Sequence, residues 1–411
     1  MDRSADATLA FGLADRADPA YVARLIALFC AGWAVIYADR TVLYPLLTVI
    51  GREFHLSGVQ TGLITAAYFT LYVSAQLASG LLAERFGLKR MLVLFSLLSA
   101  VGVAGFGLAA VNYSALLGVA ALHGAGAGAY YTMAYSITIH SVPNQSRGIA
   151  SGVINGGMSL GLIAGLALAG PFYQATGSWR APFLILAVPT FLVALLYRGA
   201  VREVQIPVRR SISLWKMLRD RTLLCMNLAA FCVLYGWWVL LSWAPVFFQT
   251  ERGVSLTKSG LYTLVIALTA LPSGLVLGRL SDRIGRKRII LAMLPLTALT
   301  LVAVAQVHSR TGMLLALMAY GLVGKLAWDP LGIAWIGDYI SRTRPEAVAV
   351  AVALFSFSSV LSAVVGPPLT GLIQDLTGSL AGGFYVAAGV ALVGFAFSLV
   401  PADSGGSGTR G

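Results

Sequence analysis

Charge is what this chain has least of. Of its 411 residues, 11% are Asp, Glu, Lys or Arg and 58% are apolar, where an ordinary soluble domain carries roughly a quarter charged residues. That composition excludes a soluble globular domain, and it is too apolar for a disordered chain. Cysteine is scarce too. Cys30, Cys225 and Cys232 lie in apolar runs with no CxxC spacing, so they read as small buried hydrophobes rather than metal ligands. Four histidines are scattered over distant segments, and no HExxH, GxSxG or phosphate-loop motif occurs. No constellation for an enzyme, a metal or a cofactor is left.

The charge that is present is strongly basic, at +13. In a soluble protein that balance would suggest nucleic acid, but here its distribution excludes that partner. The apolar runs are long enough to span a bilayer, which takes about 20 residues each. Twelve can be read, at 24–49, 58–83, 88–111, 114–140, 147–174, 180–198, 222–249, 257–281, 287–307, 310–340, 345–373 and 380–400. Of the 29 Lys and Arg, 22 fall in the two tails and the even-numbered loops, five in the odd-numbered loops, and two inside spans. Positive charge stays on the cytoplasmic side, so both termini are expected there, in the cell (inner) membrane. The first 20 residues are polar, with Asp2, Asp6, Asp15 and Asp18. They do not read as a signal peptide, so the first apolar run is kept as a span.

The expected fold is an all-α membrane protein of twelve transmembrane helices in two pseudo-symmetric six-helix bundles. Residues 1–198 and 222–411 are the bundles, and the basic stretch 199–221, with Arg202, Arg209, Arg210, Lys216, Arg219 and Arg221, is the cytoplasmic linker.

The two charges inside spans draw attention, because an ionisable residue at the bilayer midplane is costly and marks function by default. In span 1 the run is Tyr37-Ala-Asp39-Arg40-Thr41. At helical spacing Trp33, Tyr37, Arg40 and Tyr44 share one face, and Asp39 points about 100° away. Span 10 holds Gly324-Lys325-Leu-Ala-Trp328-Asp329-Pro330, where Lys325 and Asp329 form an i,i+4 pair and Pro330 is expected to bend the helix. Span 2 sets Thr65, Tyr68, Tyr72, Gln76 and Ser79 on one stripe. Span 4 reads His123-Gly124-Ala-Gly126-Ala-Gly128-Ala-Tyr130-Tyr131, and span 7 carries Trp237 and Trp238. Polar stripes face protein or a cavity, and glycines four apart let another backbone approach. The candidate substrate-binding set is therefore Arg40, Lys325, Tyr37, Tyr44, Tyr68, Tyr72, Gln76, Tyr131, Trp238 and Trp328. Asp39, Asp329 and His123 are the candidate proton carriers. Purely structural pairing of these charges is the competing interpretation.

A loop occurs twice. Gly80-Leu-Leu-Ala-Glu84-Arg85-Phe-Gly87-Leu-Lys89-Arg90 returns 198 residues later as Gly278-Arg-Leu-Ser-Asp282-Arg283-Ile-Gly285-Arg286-Lys287-Arg288. Each copy lies between the second and third spans of its half. On this repeat the chain resembles the major facilitator superfamily of secondary transporters, over about residues 22–400. The resemblance implies that Gly80, Glu84, Arg85, Gly87 and Arg90, with Gly278, Asp282, Arg283, Gly285 and Arg288, act as cytoplasmic gates, Arg85 and Arg283 bridging helices. Tyr37-Ala-Asp39-Arg40, with Tyr72 and Gln76, further resembles the anion:cation symporter family, in which the Asp and Arg of span 1 serve coupling and substrate binding. Many members place an Arg and then an acid on span 4. Those positions here are Ala120 and Ala127, leaving Lys325 as the second cation.

Together these point to import of a small organic anion, possible classes being sugar and aromatic acids, by proton symport and alternating access. The protein is expected to act as a monomer in the lipid bilayer, with no cofactor beyond the coupling ion. The rival functions are a proton-driven exporter of drugs or metabolites and, from another class, a non-transporting membrane sensor or scaffold. After Gly170-Pro171, the residues Phe172, Tyr173 and Gln174 replace the paired glycines of drug antiporters, which counts against efflux.

Overall fold

The computed structural model describes residues 18–204 and 217–401. The rest of the N-terminal tail, the end of the C-terminal tail and the central linker with Arg209, Arg210 and Lys216 lie outside the described residues. Among the described residues there is no strand. The helices are α1 (Pro19–Thr41), α2 (Leu43–Glu53), α3 (Gly58–Phe86), α4 (Leu88–Leu108), α5 (Tyr113–Ser141), α6 (Arg147–Thr176), α7 (Arg180–Ala200), α8 (Arg221–Thr250), α9 (Leu256–Ile284), α10 (Arg286–Gln306), α11 (Arg310–Val323), α12 (Lys325–Thr343), α13 (Val348–Thr377) and α14 (Ala381–Leu399). Among the described residues, eleven stretches are long and apolar enough to cross a membrane. The twelfth expected span, α5, has the length at 29 residues, but its glycine, tyrosine and histidine content dilutes the apolar run.

The first and tenth spans are each interrupted, and each interruption falls beside the buried charge. α1 gives way to α2 at Val42, two residues after Arg40. Pro45 has no N–H for the carbonyl of Thr41 and its ring crowds that carbonyl. The Thr41 hydroxyl donates back to the Tyr37 carbonyl at 2.7 Å, a bond that bends helices. The tenth span was expected to run unbroken and to bend at Pro330; instead it breaks at Gly324, whose backbone is extended (φ −80°, ψ −166°). Pro330 lies inside α12, where it leaves the Leu326 carbonyl without its i+4 donor. The carbonyls released by the break are taken up elsewhere. Thr297 Oγ1 donates to Val323 O at 2.9 Å, and Ser273 Oγ donates to Leu322 O.

The chain packs as two compact units, Met1–Leu46 with Ala67–Arg209, and Leu47–Ala66 with Arg210–Gly411. Packing therefore places residues 47–66, which precede the basic linker, in the second unit. There the first turn of α3 is capped by Asp375 of α13, which accepts from Gly58 N at 2.6 Å and Val59 N at 2.9 Å. A Cβ on Gly62 would meet the backbone of Pro367. The same neighbour pattern recurs within each unit. α1 lies on α6, and α4 on α5 and α7, in the first; α8 lies on α13, and α10 on α11 and α14, in the second.

Candidate functional site

In the first unit Arg40 is 4% exposed and sits among aromatic rings. Its guanidinium carbon lies 4.0 Å from the Tyr37 ring centre, 5.4 Å from Phe69 and 6.0 Å from Tyr68. A guanidinium at these distances is stabilised by the ring quadrupoles, more so out of water. Tyr44, Tyr68 and Tyr72 are buried, and Tyr68 lies 5.9 Å from Tyr72. His123 is buried with its ring 4.9 Å from Tyr68. Glycines make this closeness possible: a Cβ on Gly124 or Gly128 would run into the carbonyl of Tyr68 or Tyr72. Tyr131 joins the same aromatic run, 6.3 Å from Trp33, which is 5.4 Å from Tyr37. Gln76 is half-buried one turn beyond Tyr72.

Asp39 points away from this cup, as the helical rotation of one residue requires. It is 1% exposed, and the Thr190 hydroxyl of α7 donates to its Oδ2 at 2.7 Å. Its Oδ1 has no hydrogen-bond partner among the described residues. Thr190 was not among the expected site residues. A lone Thr in an apolar span looks like one satisfied by its own helix, and only the fold reveals its partner.

In the second unit Lys325 is the first residue of α12, and its Nζ lies 2.5 Å from Asp329 Oδ2. A cation at a helix N-terminus opposes the helix dipole, and the i+4 carboxylate offsets that. Nζ is 5.9 Å from the Trp237 ring centre. Trp238 and Trp328 are buried, and Trp328 stacks on Phe355 at 5.5 Å.

At the repeated loop, Gly87 and Gly285 both have positive φ, +90° and +98°, a turn only glycine makes freely. Glu84, Arg85, Arg90, Asp282, Arg283 and Arg288 are exposed, and Gly80 and Gly278 half-buried. Among the described residues Arg85 and Arg283 make no ion pair; Arg85 lies over its neighbour Phe86 at 5.2 Å. The bridge is made by Arg286, 3.3 Å from Asp282 and 3.0 Å from Asp338 of α12. Lys287 Nζ donates to the carbonyls of Leu399 at 2.8 Å and Pro401 at 2.6 Å. At the corresponding place in the first unit, Glu203 accepts from Lys89 N at 3.0 Å. Arg286 and Lys287 stood within the repeated motif; Glu203 gave no signal in the sequence.

The chain is similar to known membrane transporters. The model of the Major Facilitator Superfamily matches residues 29–324 and 226–410. A hexuronate transporter of Bacillus subtilis is 25% identical over 406 residues, covering 90% of this chain and 91% of that protein. A probable galactarate/D-glucarate transporter of Escherichia coli K12 is 25% identical over 394 residues, covering 84% and 86%. The crystal structure of a bacterial homolog of the human lysosomal transporter Spinster, inward-facing and occupied, superimposes with a TM-score of 0.81 at 18% identity, covering 93% of this chain and 97% of that one.

Proposed function

This chain belongs to the major facilitator superfamily, a family of cofactor-free membrane transporters and not of enzymes, and we propose that it imports a small organic acid together with protons. The observation that carries the reading is Arg40, a permanent cation buried against π faces near the middle of a span. Such a group is maintained against a cost of about 2.5–3.5 kcal/mol on insertion scales, and a carboxylate is its natural ligand. Lys325 at the start of α12 supplies the second cation, where the half-helix dipole also favours an anion. Asp39 and Asp329 carry the proton. Proton and anion together neutralise the site, which lets it pass the apolar barrier by alternating access of the two bundles 1–198 and 222–411. The relatives named for hexuronate and galactarate/D-glucarate support a sugar acid. Tyr68 Oη and His123 Nε2, buried without partners among the described residues, are placed to meet its hydroxyls. The repeated loops serve as the cytoplasmic gates. The protein works as a monomer in the cell membrane with both termini cytoplasmic.

The test is uptake of labelled glucuronate into proteoliposomes under an imposed pH gradient, acid outside. Accumulation is expected to collapse when the gradient is dissipated. Arg40→Ala should lower uptake roughly 10- to 100-fold, the loss of one charge-assisted contact. Uptake indifferent to the gradient, or Arg40→Ala at the wild-type rate, sinks the reading.

A further inference from the structure

The break in the tenth span decides which neighbour Lys325 meets. One turn earlier, α11 is pressed against α9: a Cβ on Gly321 would run into Thr269 Oγ1 and the Ile266 carbonyl. In an unbroken helix residues 321 and 325 share a face. Lys325 would then follow Gly321 onto α9. Instead its Nζ lies 5.9 Å from the centre of the Trp237 ring on α8 and 2.5 Å from Asp329 Oδ2. We propose that Ser273 of α9 and Thr297 of α10 are positioning residues: they hold the break open and so turn Lys325 from α9 to α8, where it serves the substrate anion. The proposal rests on the reading of Lys325 as a substrate cation and names the residues that place it.

An unbroken helix would join the carbonyls of Leu322 and Val323 to the N–H groups of Leu326 and Ala327. Here Ala327 N donates to Gly324 O at 3.1 Å. The two carbonyls are taken by side chains of other helices, Leu322 O by Ser273 Oγ and Val323 O by Thr297 Oγ1 at 2.9 Å. A bilayer core offers no water to a freed carbonyl, so a break at this depth stands only while other groups donate. The angles of Gly324 do not impose the break, since φ −80° with ψ −166° is extended backbone open to any residue. Nor is the clasp needed for its own sake. A continuous helix would satisfy both carbonyls unaided, and what the two hydroxyls add is the new direction of Lys325.

The two hydroxyls are unequal. Ser273 is buried one turn after Thr269, on the face that Lys325 would have met. Among the described residues it donates to Leu322 O alone. Thr297 also reaches its own helix, with Met293 O at 2.9 Å, and one hydroxyl hydrogen serves one acceptor at a time. Ser273 is therefore the stronger half of the clasp.

The test is a glucuronate binding titration on the purified full-length protein. Ser273→Ala and Thr297→Val each remove a hydroxyl without adding bulk. Ser273→Ala should weaken binding roughly tenfold, the worth of one buried hydrogen bond. Thr297→Val should weaken it less, and Thr297→Ser should bind as the wild type does. The first two substitutions are then made in Lys325→Met/Asp329→Leu, whose own binding should already be weak. There they should change binding by less than about twofold, because the residue they place is gone. Their effect on the melting temperature should be the same in both backgrounds. Equal fold-losses of binding in both backgrounds, or wild-type binding when Ser273→Ala and Thr297→Val are combined, overturns the positioning role and leaves Lys325 in the site. Wild-type binding by Lys325→Met/Asp329→Leu overturns the assignment of Lys325 and the positioning role with it.

Discussion

Arg40 and Asp39 are consecutive residues with separate surroundings, one against rings and the other against a hydroxyl. What holds each environment in place is small residues more than large ones. Gly124 carries the clearest prediction, because any Cβ there meets the Tyr68 carbonyl. Gly124→Ala should destabilise the protein by roughly 1–3 kcal/mol, as overpacking does, and should weaken substrate binding by displacing Tyr68. Gly118, on the same helix, has nothing within reach of a Cβ, so Gly118→Ala should leave stability unchanged or raise it by about 0.5–1 kcal/mol. Thermal unfolding in detergent, with a glucuronate binding titration, separates the two. The divergent directions of Arg40 and Asp39 were legible in the sequence, because a rotation of about 100° per residue is a property of any helix. Thr190 was not, since its meaning lies in a partner 151 positions away.

Of the helical elements that carry the buried charges, the tenth span is broken beside its lysine at Gly324, whereas α1 passes into α2 at Val42 with helical backbone angles. In the tenth span the break falls at Gly324, six residues before the proline. Gly324 can stand outside the helix because Ser273 and Thr297 satisfy the released carbonyls from 49 and 26 residues away. No local pattern announces such support. The break puts Lys325 at a helix start, which raises the question of whether its pair with Asp329 is only structural. Lys325→Met alone leaves a carboxylate in apolar surroundings and should lower the melting temperature. Lys325→Met with Asp329→Leu removes both charges and should restore it, since neutral replacement of an ion pair is often harmless. The double variant is nonetheless expected to lack glucuronate uptake. Recovery of uptake along with stability would reduce the pair to a packing device.

Across the whole molecule the duplication was legible, because the loop around Gly87 and Gly285 is written twice and the same neighbour pattern recurs in both units. The two copies nevertheless hold their third helix by opposite polarity. Glu203 accepts from the start of α4, whereas Lys287 at the start of α10 donates to the chain end of α14. Glu203→Gln should therefore weaken the first junction through a loss of charge, and Lys287→Gln the second through a loss of reach. Limited proteolysis at each junction would show the difference. The membership of residues 47–66 was not legible, because it is settled by long-range packing of Gly58 and Gly62 on α13 and by the Asp375 cap. One consequence concerns assembly from pieces. If the chain is severed between residues 204 and 217 and both fragments are made in one cell, the first fragment carries a segment whose Gly58 and Gly62 pack on α13 of the second. The fragments should copurify without a covalent link, and Gly62→Leu, which fills the face turned to Pro367, should part them.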